Sequence, residues 1–173
     1  MRGYGTSHKM KINLASSEQL KEAVAEFKNV TNITEVLERF MSDLIREGEE
    51  RAKMICPKDT GMLEAGITST LKMSKYTVTG SVICESDHAA YVEFGTGVVG
   101  ENSPYPGDMG SYKRNVPSEK KDETGGWTYM ADDGTFHYTH GHAPNPFMYQ
   151  TAQYMKMVAP DIAKRIMSND KQE

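Results

Sequence analysis

The feature that most constrains the fold is a run of apolar residues at helical spacing in the first third of the chain. Positions that recur every three or four residues share one face of an α-helix, so the run predicts an amphipathic helix of about 20 residues, roughly 30 Å long. Pro57 ends it, because proline disfavours helical angles in the residue before it. The apolar positions are Ile33, Val36, Leu37, Phe40, Met41, Leu44, Ile45, Ala52 and Ile55.

The segments after this helix are rich in β-branched residues and predict antiparallel strands. Residues 67–73 and 76–84 predict two neighbouring strands, and residues 89–94 predict a third strand that stops at Gly95. Before the helix, the alternating residues 10–14 predict a short edge strand.

The second half of the chain predicts a long excursion and a closing helix. Residues 98–143 are rich in Gly, Pro, Ser, Asn and charged residues, which is typical of loops. Within them, residues 127–130 and 135–138 predict a β-hairpin. A final helix begins near Phe147, and Pro160 is expected to kink or restart it, because an interior proline costs about 3 kcal/mol.

This order of elements predicts an α+β fold. A long N-terminal helix and a C-terminal helix pack on an antiparallel β-sheet, with a long loop and hairpin excursion. The predicted organisation is a flexible segment at residues 1–15, a single domain at 16–168 with its excursion at about 98–143, and a flexible end at 169–173.

Composition and charge disfavour several classes of function. The 173 residues carry a formal net charge of −4, whereas duplex DNA binding requires a basic face. No apolar run approaches the roughly 20 residues that span a bilayer, and the polar first residues do not form a signal peptide. With two cysteines, Cys56 and Cys84, the chain fits an intracellular protein whose thiols are reduced.

Two short motifs match enzyme signatures in an unsuitable context. Asp59-Thr60-Gly61 spells the triplet of aspartic proteases, but a single copy after a long helix favours a turn in which Gly61 adopts a positive φ. Residues 95–100 spell GxGxxG, which binds dinucleotides only where a helix begins inside the motif. Here a loop is expected to follow, so the glycines are interpreted as a sharp turn out of a strand.

Histidines and aromatic residues leave two alternatives open. His137, His140 and His142, with His88 elsewhere, could ligate zinc in a metal-dependent hydrolase, although loop histidines more commonly contact backbone or water. That alternative predicts stoichiometric zinc in protein purified without added metal. The aromatic residues of the hairpin form either a contact surface or a local core, and they are Trp127, Tyr129, Phe136 and Tyr138.

Three segments, taken in order, carry a resemblance to a known family. They are Pro57-Lys58-Asp59-Thr60-Gly61-Met62-Leu63, Tyr91-Val92-Glu93-Phe94-Gly95-Thr96-Gly97 and Pro144-Asn145-Pro146-Phe147-Met148. Placed after a long helix and before a final one, they resemble the small tail-component family of tailed bacteriophages and prophages, over about residues 30–165. Members act at the head–tail joint as neck or tail-completion proteins.

The resemblance implies a structural protein of the virion, assembled in the cytoplasm of the bacterial host, with no enzyme activity, cofactor or membrane. Its partners would be copies of itself in a ring and neighbouring head-closure or tail-tube proteins, with DNA passing through without specific binding. We expect Glu93 on the surface and Phe147 in the core. The motif residues, which are candidates for fold and interaction, are Asp59, Thr60, Gly61, Leu63, Tyr91, Glu93, Phe94, Gly95, Thr96, Gly97, Pro144, Pro146 and Phe147.

Overall fold

The computed structural model describes residues 10–11, 33–59, 61–74, 77–114, 120–131 and 133–170. They form an α+β fold, as predicted. The elements in chain order are β1 (Met10–Lys11), α1 (Ile33–Ile55), α2 (Met62–Ala65), β2 (Ile67–Met73), β3 (Val78–Cys84), α3 (Ala89–Phe94), α4 (Gly97–Glu101), β4 (Trp127–Met130), β5 (Phe136–Thr139) and α5 (Phe147–Asp170).

Internal contacts divide the described chain into two compact units. The core unit consists of β1, α1, α2, β2, β3 and α5, and the hairpin unit, residues 87–146, consists of α3, α4, β4 and β5. The stretch predicted as an excursion, residues 98–143, lies inside the hairpin unit. The predicted flexible ends, residues 1–15 and 169–173, lie mostly outside the described residues.

The sheet of the core unit is antiparallel, with the strand order β1-β3-β2. Its register places Ile67 opposite Cys84, and both side chains are buried together with Val82. The alternating positions Thr68 and Thr70 are exposed, which is the period-two pattern of a sheet covered on one face. The strands predicted in this region are confirmed, and of the predicted edge strand at 10–14 the structure describes Met10–Lys11.

Helix α1 is the amphipathic helix that the sequence predicts, and it packs on β2, β3 and α5. Its buried positions are Val36, Phe40, Leu44, Ile45, Gly48 and Ala52. A Cβ atom on Gly48 would lie 2.5 Å from Sδ of Met155 and 3.0 Å from Cγ2 of Val82. The missing side chain therefore lets both α5 and β3 approach the helix closely.

Helix α5 runs for 24 residues through Pro160, so the helix does not restart there. Proline removes one backbone donor, and burial of the helix supplies the compensating energy. The helix face around Pro160 is buried within the core unit, where Ala159, Ile162 and Ala163 are buried side chains. Beyond this apolar face, Tyr154 Oη donates a hydrogen bond to Glu47 Oε2 of α1 at 3.2 Å.

The segment Ala89–Phe94 is a helix, and the strand predicted there is wrong. Short apolar runs do not separate strand from helix by periodicity alone. Ala89 and Ala90 favour a helix, and they share a buried face with Glu93 and Phe94 at helical spacing. The helix ends at Gly95, whose φ of 80° and ψ of 169° are accessible to glycine almost alone.

We predict that Phe147→Ala lowers the free energy of unfolding of the core unit by about 3–5 kcal/mol, because it removes a fully buried ring. Urea denaturation followed by circular dichroism measures the change. The matched control is Phe136→Ala, whose ring is 75 % exposed and whose loss should alter stability by about 0.5 kcal/mol or less. Equal shifts in the two variants would contradict the prediction.

Candidate functional site

The first motif forms the predicted turn between α1 and the sheet. Gly61 has a φ of +77°, as expected for this turn, and Asp59 is exposed, while Thr60 lies outside the described residues. Leu63 is buried, and its carbonyl accepts a hydrogen bond from the Cys84 thiol at 3.7 Å. The motif therefore connects α1 to β2 and anchors the connection on β3.

The second and third motifs meet within the hairpin unit. The backbone N–H of Asn145 donates to the Val92 carbonyl at 2.8 Å. A Cβ atom on Gly95 would lie 2.8 Å from the His142 carbonyl oxygen and 2.9 Å from the Pro144 nitrogen. Pro144 and Pro146 are half-buried, so the chain that leads into α5 passes directly beside α3.

Backbone hydrogen bonds close the base of the excursion. Thr96 N–H donates to the His142 carbonyl at 3.0 Å, His142 N–H donates back at 3.2 Å, and Val99 N–H donates to the His140 carbonyl at 3.2 Å. Gly141 lies in this crossing with a φ of +95°, and a Cβ atom there would overlap the Thr96 carbonyl. We call this contact of residues 96–99 with 140–142 the glycine crossing.

Glu93 is buried with 0 % of its surface exposed, so the expectation that it lies on the surface is wrong. Its position one helical turn from Ala89 and Ala90 places it on the inner face of α3. Tyr105 Oη donates a hydrogen bond to Glu93 Oε1 at 2.8 Å, which partly compensates for the loss of hydration. Tyr91, by contrast, is exposed.

Two tyrosines that the sequence analysis missed enclose the neighbouring Phe94. The Phe94 ring centroid lies 5.0 Å from that of Tyr105 and 4.8 Å from that of Tyr112. Burial raises the pKa of Tyr112 to about 12, so its hydroxyl stays neutral and donates to the Gly95 carbonyl at 3.3 Å. Neither tyrosine belongs to a periodic pattern, so no local signal in the sequence identifies them.

A one-turn helix, Gly97–Glu101, begins inside the GxGxxG segment, whose glycines are interpreted from the sequence as a sharp turn out of a strand with a loop to follow. The irregular chain begins only after this helix, at Asn102. The N–H of Gly97 donates to the Arg114 carbonyl at 2.8 Å, so this amide already has an acceptor within the protein. A Cβ atom on Gly97 would lie 2.6 Å from Cζ3 of Trp127. The glycine therefore provides space for the indole ring.

The predicted hairpin is confirmed as β4 and β5, with Met130 opposite Phe136 and Tyr129 opposite His137. Trp127 is half-buried against Gly97 and belongs to the local packing. The tip is exposed, with Phe136 75 % accessible. We define the hairpin surface as the exposed large side chains on the face that carries Phe136, namely Met130, Phe136 and Tyr138. Tyr129, which lies opposite His137, is exposed on the other face of the hairpin.

A polar cluster fixes the turn before the hairpin to β5. Asp122 Oδ1 accepts hydrogen bonds from the N–H groups of Thr124 and Gly126, and Oδ2 accepts one from Tyr138 Oη at 2.5 Å. The bond from Tyr138 is the largest cause, and a bond from Thr124 Oγ1 the next, of a pKa of the Asp122 carboxyl that lies well below its ordinary value. The bond between Tyr138 and Asp122 also raises the pKa of Tyr138. Residues so far apart in sequence gave no motif from which to predict the cluster.

The three histidines of the zinc hypothesis have separate contacts. His137 stacks on Tyr129 with ring centroids 5.7 Å apart, and His142 Nδ1 lies 2.9 Å from the Ala143 carbonyl. His140 Nε2 lies 3.0 Å from Thr124 Oγ1. Within the described part of the chain, no group of three or more His, Cys, Asp or Glu side chains is placed to hold a metal ion. The zinc hypothesis stays a prediction.

Comparisons with known proteins return no match for this chain among protein-family models, curated proteins or solved structures. Among the described ranges, none of the helices has both the length and the apolar character that crossing a bilayer requires.

We predict that Gly141→Ala lowers the free energy of unfolding of the hairpin unit by about 2–5 kcal/mol, which combines roughly 1–2 for a positive φ with roughly 1–3 for overpacking. Gly134→Ala is the control, because it shares a positive φ (+83°) but its Cβ would meet no atom within 4 Å. Urea denaturation compares the two variants. If both lose the same stability, the close approach at the glycine crossing is not the cause.

We predict that Tyr138→Phe raises the pKa of Asp122 toward its ordinary value of 3.8, because the largest cause of the depression is lost. Since the folded pKa is depressed, the stabilisation by Asp122 is complete above the ordinary value and is lost as pH falls through the folded pKa. An NMR titration of the Asp122 carboxyl carbon measures this pKa in the folded protein. Tyr129→Phe, which leaves this cluster intact, should leave the titration unchanged; a shift in the control would contradict the assignment.

Proposed function

We propose that this chain is a structural assembly protein of a tailed phage or prophage, and that it acts as a ring subunit at the head–tail interface, in the neck or in tail completion. The order of the three motifs supports the setting. The exposed hairpin surface, carried on a closed hydrogen-bonded base, is the observation that supports a role in subunit contact. The protein would be incorporated into the virion after assembly in the bacterial cytoplasm.

The composition of the hairpin surface suits a protein contact. Aromatic residues and methionine are enriched at interface cores, where a few of them contribute most of the binding energy. Phe136 and Met130 lie opposite each other at the tip, so a partner that covers one also covers the other. Tyr138 lies on the same face and adds its exposed ring to the contact, while its hydroxyl donates to Asp122.

The closed base favours association because the hairpin is already ordered. Binding by a disordered loop loses conformational entropy, whereas a surface held in place before binding loses less. In the hairpin unit, backbone bonds at Thr96, Val99 and His142 fix the two ends of the excursion, and the Asp122 cluster fixes the turn beside β4.

A ring requires head-to-tail contacts, in which one surface of each copy meets a different surface of the next copy. In our proposal the hairpin surface of one copy contacts its neighbour in the ring, and other faces contact head-closure or tail-tube proteins. The formal charge of −4 agrees with a ring through which DNA passes without being retained. No chemical step, metal or cofactor is part of this proposal.

The test of the setting is deletion of the gene from the phage or prophage that encodes it, followed by electron microscopy of the lysate. DNA-filled heads that lie apart from finished tails would support a role at the joint, and tails of irregular length would support tail termination. Normal infectious particles would contradict the proposal.

The test of the surface is complementation of that deletion with Phe136→Ser. We expect the yield of infectious particles to fall at least about tenfold, because an aromatic anchor contributes about 2 kcal/mol or more to binding. Met157→Ser, an exposed apolar residue of α5, is the matched control and should complement normally. Full complementation by both variants would remove the hairpin surface from the proposal while leaving the assembly role intact.

A further inference from the structure

We propose that residues 103–114, the tyrosine strap, open from α3 as a unit while the glycine crossing stays closed. The strap is thus a conformational device that controls access to Glu93 and Phe94. The proposal rests on contacts inside the hairpin unit and does not depend on the phage role.

Side chains supply most of the contacts that hold the strap. Tyr105 Oη donates to Glu93 Oε1 at 2.8 Å, and Tyr112 Oη donates to the Gly95 carbonyl at 3.3 Å. At the ends of the strap, Arg114 donates to the Gly100 carbonyl and Ser103 Oγ donates to the Val99 carbonyl. Two backbone bonds join them, from the Gly97 N–H to the Arg114 carbonyl and from the Ser103 N–H to the Gly100 carbonyl. Release of most of the strap therefore requires rotation of a few side chains and loss of the packing of Tyr105 and Tyr112 on Phe94.

The middle of the strap has a turn of its own. Gly110 N–H donates to Asp108 Oδ1 at 2.8 Å, and Tyr112 N–H donates to the Met109 carbonyl at 3.1 Å. Both bonds lie within the strap, and Pro106, Asp108 and Gly110 are exposed. The turn can therefore persist when the strap leaves α3, as expected of a segment that opens cooperatively.

The two groups that the strap covers respond to water in opposite ways. Opening exposes Phe94, which is unfavourable, but it also hydrates the polar Glu93 carboxyl group, whose burial costs free energy. Hydration of Glu93 offsets part of the packing energy that is lost on opening. The free-energy difference between the open and closed states is therefore smaller than it would be for a strap that covers only apolar residues. The opened face presents one acidic and one aromatic side chain together.

The glycine crossing is held differently, by backbone bonds that bring together distant parts of the chain. Thr96 and His142 exchange two such bonds, and Asn145 N–H donates to the Val92 carbonyl. None of these bonds involves a strap residue. Opening of the strap should therefore leave them in place.

Hydrogen exchange of single amides, measured by NMR, tests this separation. The Gly97 amide reports on release of the strap, and the Tyr112 amide reports on the turn within the strap. The Thr96 amide reports on the crossing, and the Asn145 amide reports on the contact with α3. In Tyr105→Phe, which removes a hydrogen bond from the fully buried carboxyl group of Glu93, we expect Gly97 exchange to accelerate about 10- to 100-fold. The Thr96 and Asn145 amides should change by less than about twofold.

Tyr129→Phe is the matched control, because it removes an exposed hydroxyl outside the strap and should change no rate. Tyr112→Phe, which removes a bond between neutral groups, should accelerate Gly97 exchange about 2- to 10-fold and replaces Tyr105→Phe if that variant does not fold. Equal acceleration of all reporter amides would overturn the proposal, because the whole unit would then open together. An unchanged Gly97 rate would overturn it as well.

Discussion

The backbone bonds between Thr96 and His142 are the constraint on which the hairpin unit depends. Closing a long segment on itself costs entropy that grows only slowly with its length, so a few well-placed bonds hold a large excursion. Those bonds require close backbone approach, and Gly95, Gly97 and Gly141 provide it because a side chain at any of them would overlap a neighbouring residue. The glycines of the motif therefore close the base of the excursion by allowing the two backbones to approach.

Glycine has a comparable role in the core unit, where packing rather than backbone conformation requires it. Gly48 provides space for Met155 of α5 and Val82 of β3 at one point on α1. Since helical glycine costs about 1 kcal/mol relative to alanine, the packing gained by this approach must exceed that cost. Helix α1, the sheet and helix α5 thus meet at a point where α1 carries no side chain.

Buried motif residues and exposed hairpin residues occupy separate parts of the hairpin unit. Glu93 and Phe94, which belong to the motif, are buried and hold the strap. Phe136 and Tyr129, which belong to no motif, are exposed. The motif therefore specifies the closure of the hairpin unit, whereas the exposed side chains of the hairpin lie outside it.

The sequence by itself determined α1, the β2–β3 pair, the hairpin and the start of α5, because each has a repeating pattern or a turn signal within a few residues. Tertiary structure alone decided that Ala89–Phe94 is a helix, that α5 continues through Pro160, and that Glu93 is buried. It also decided the contacts of Tyr105, Tyr112 and Asp122, whose partners are distant in sequence or belong to no pattern. The reason is physical: periodicity reports which face of an element is apolar, whereas the identity of the residue that covers a given group depends on how the chain returns to it.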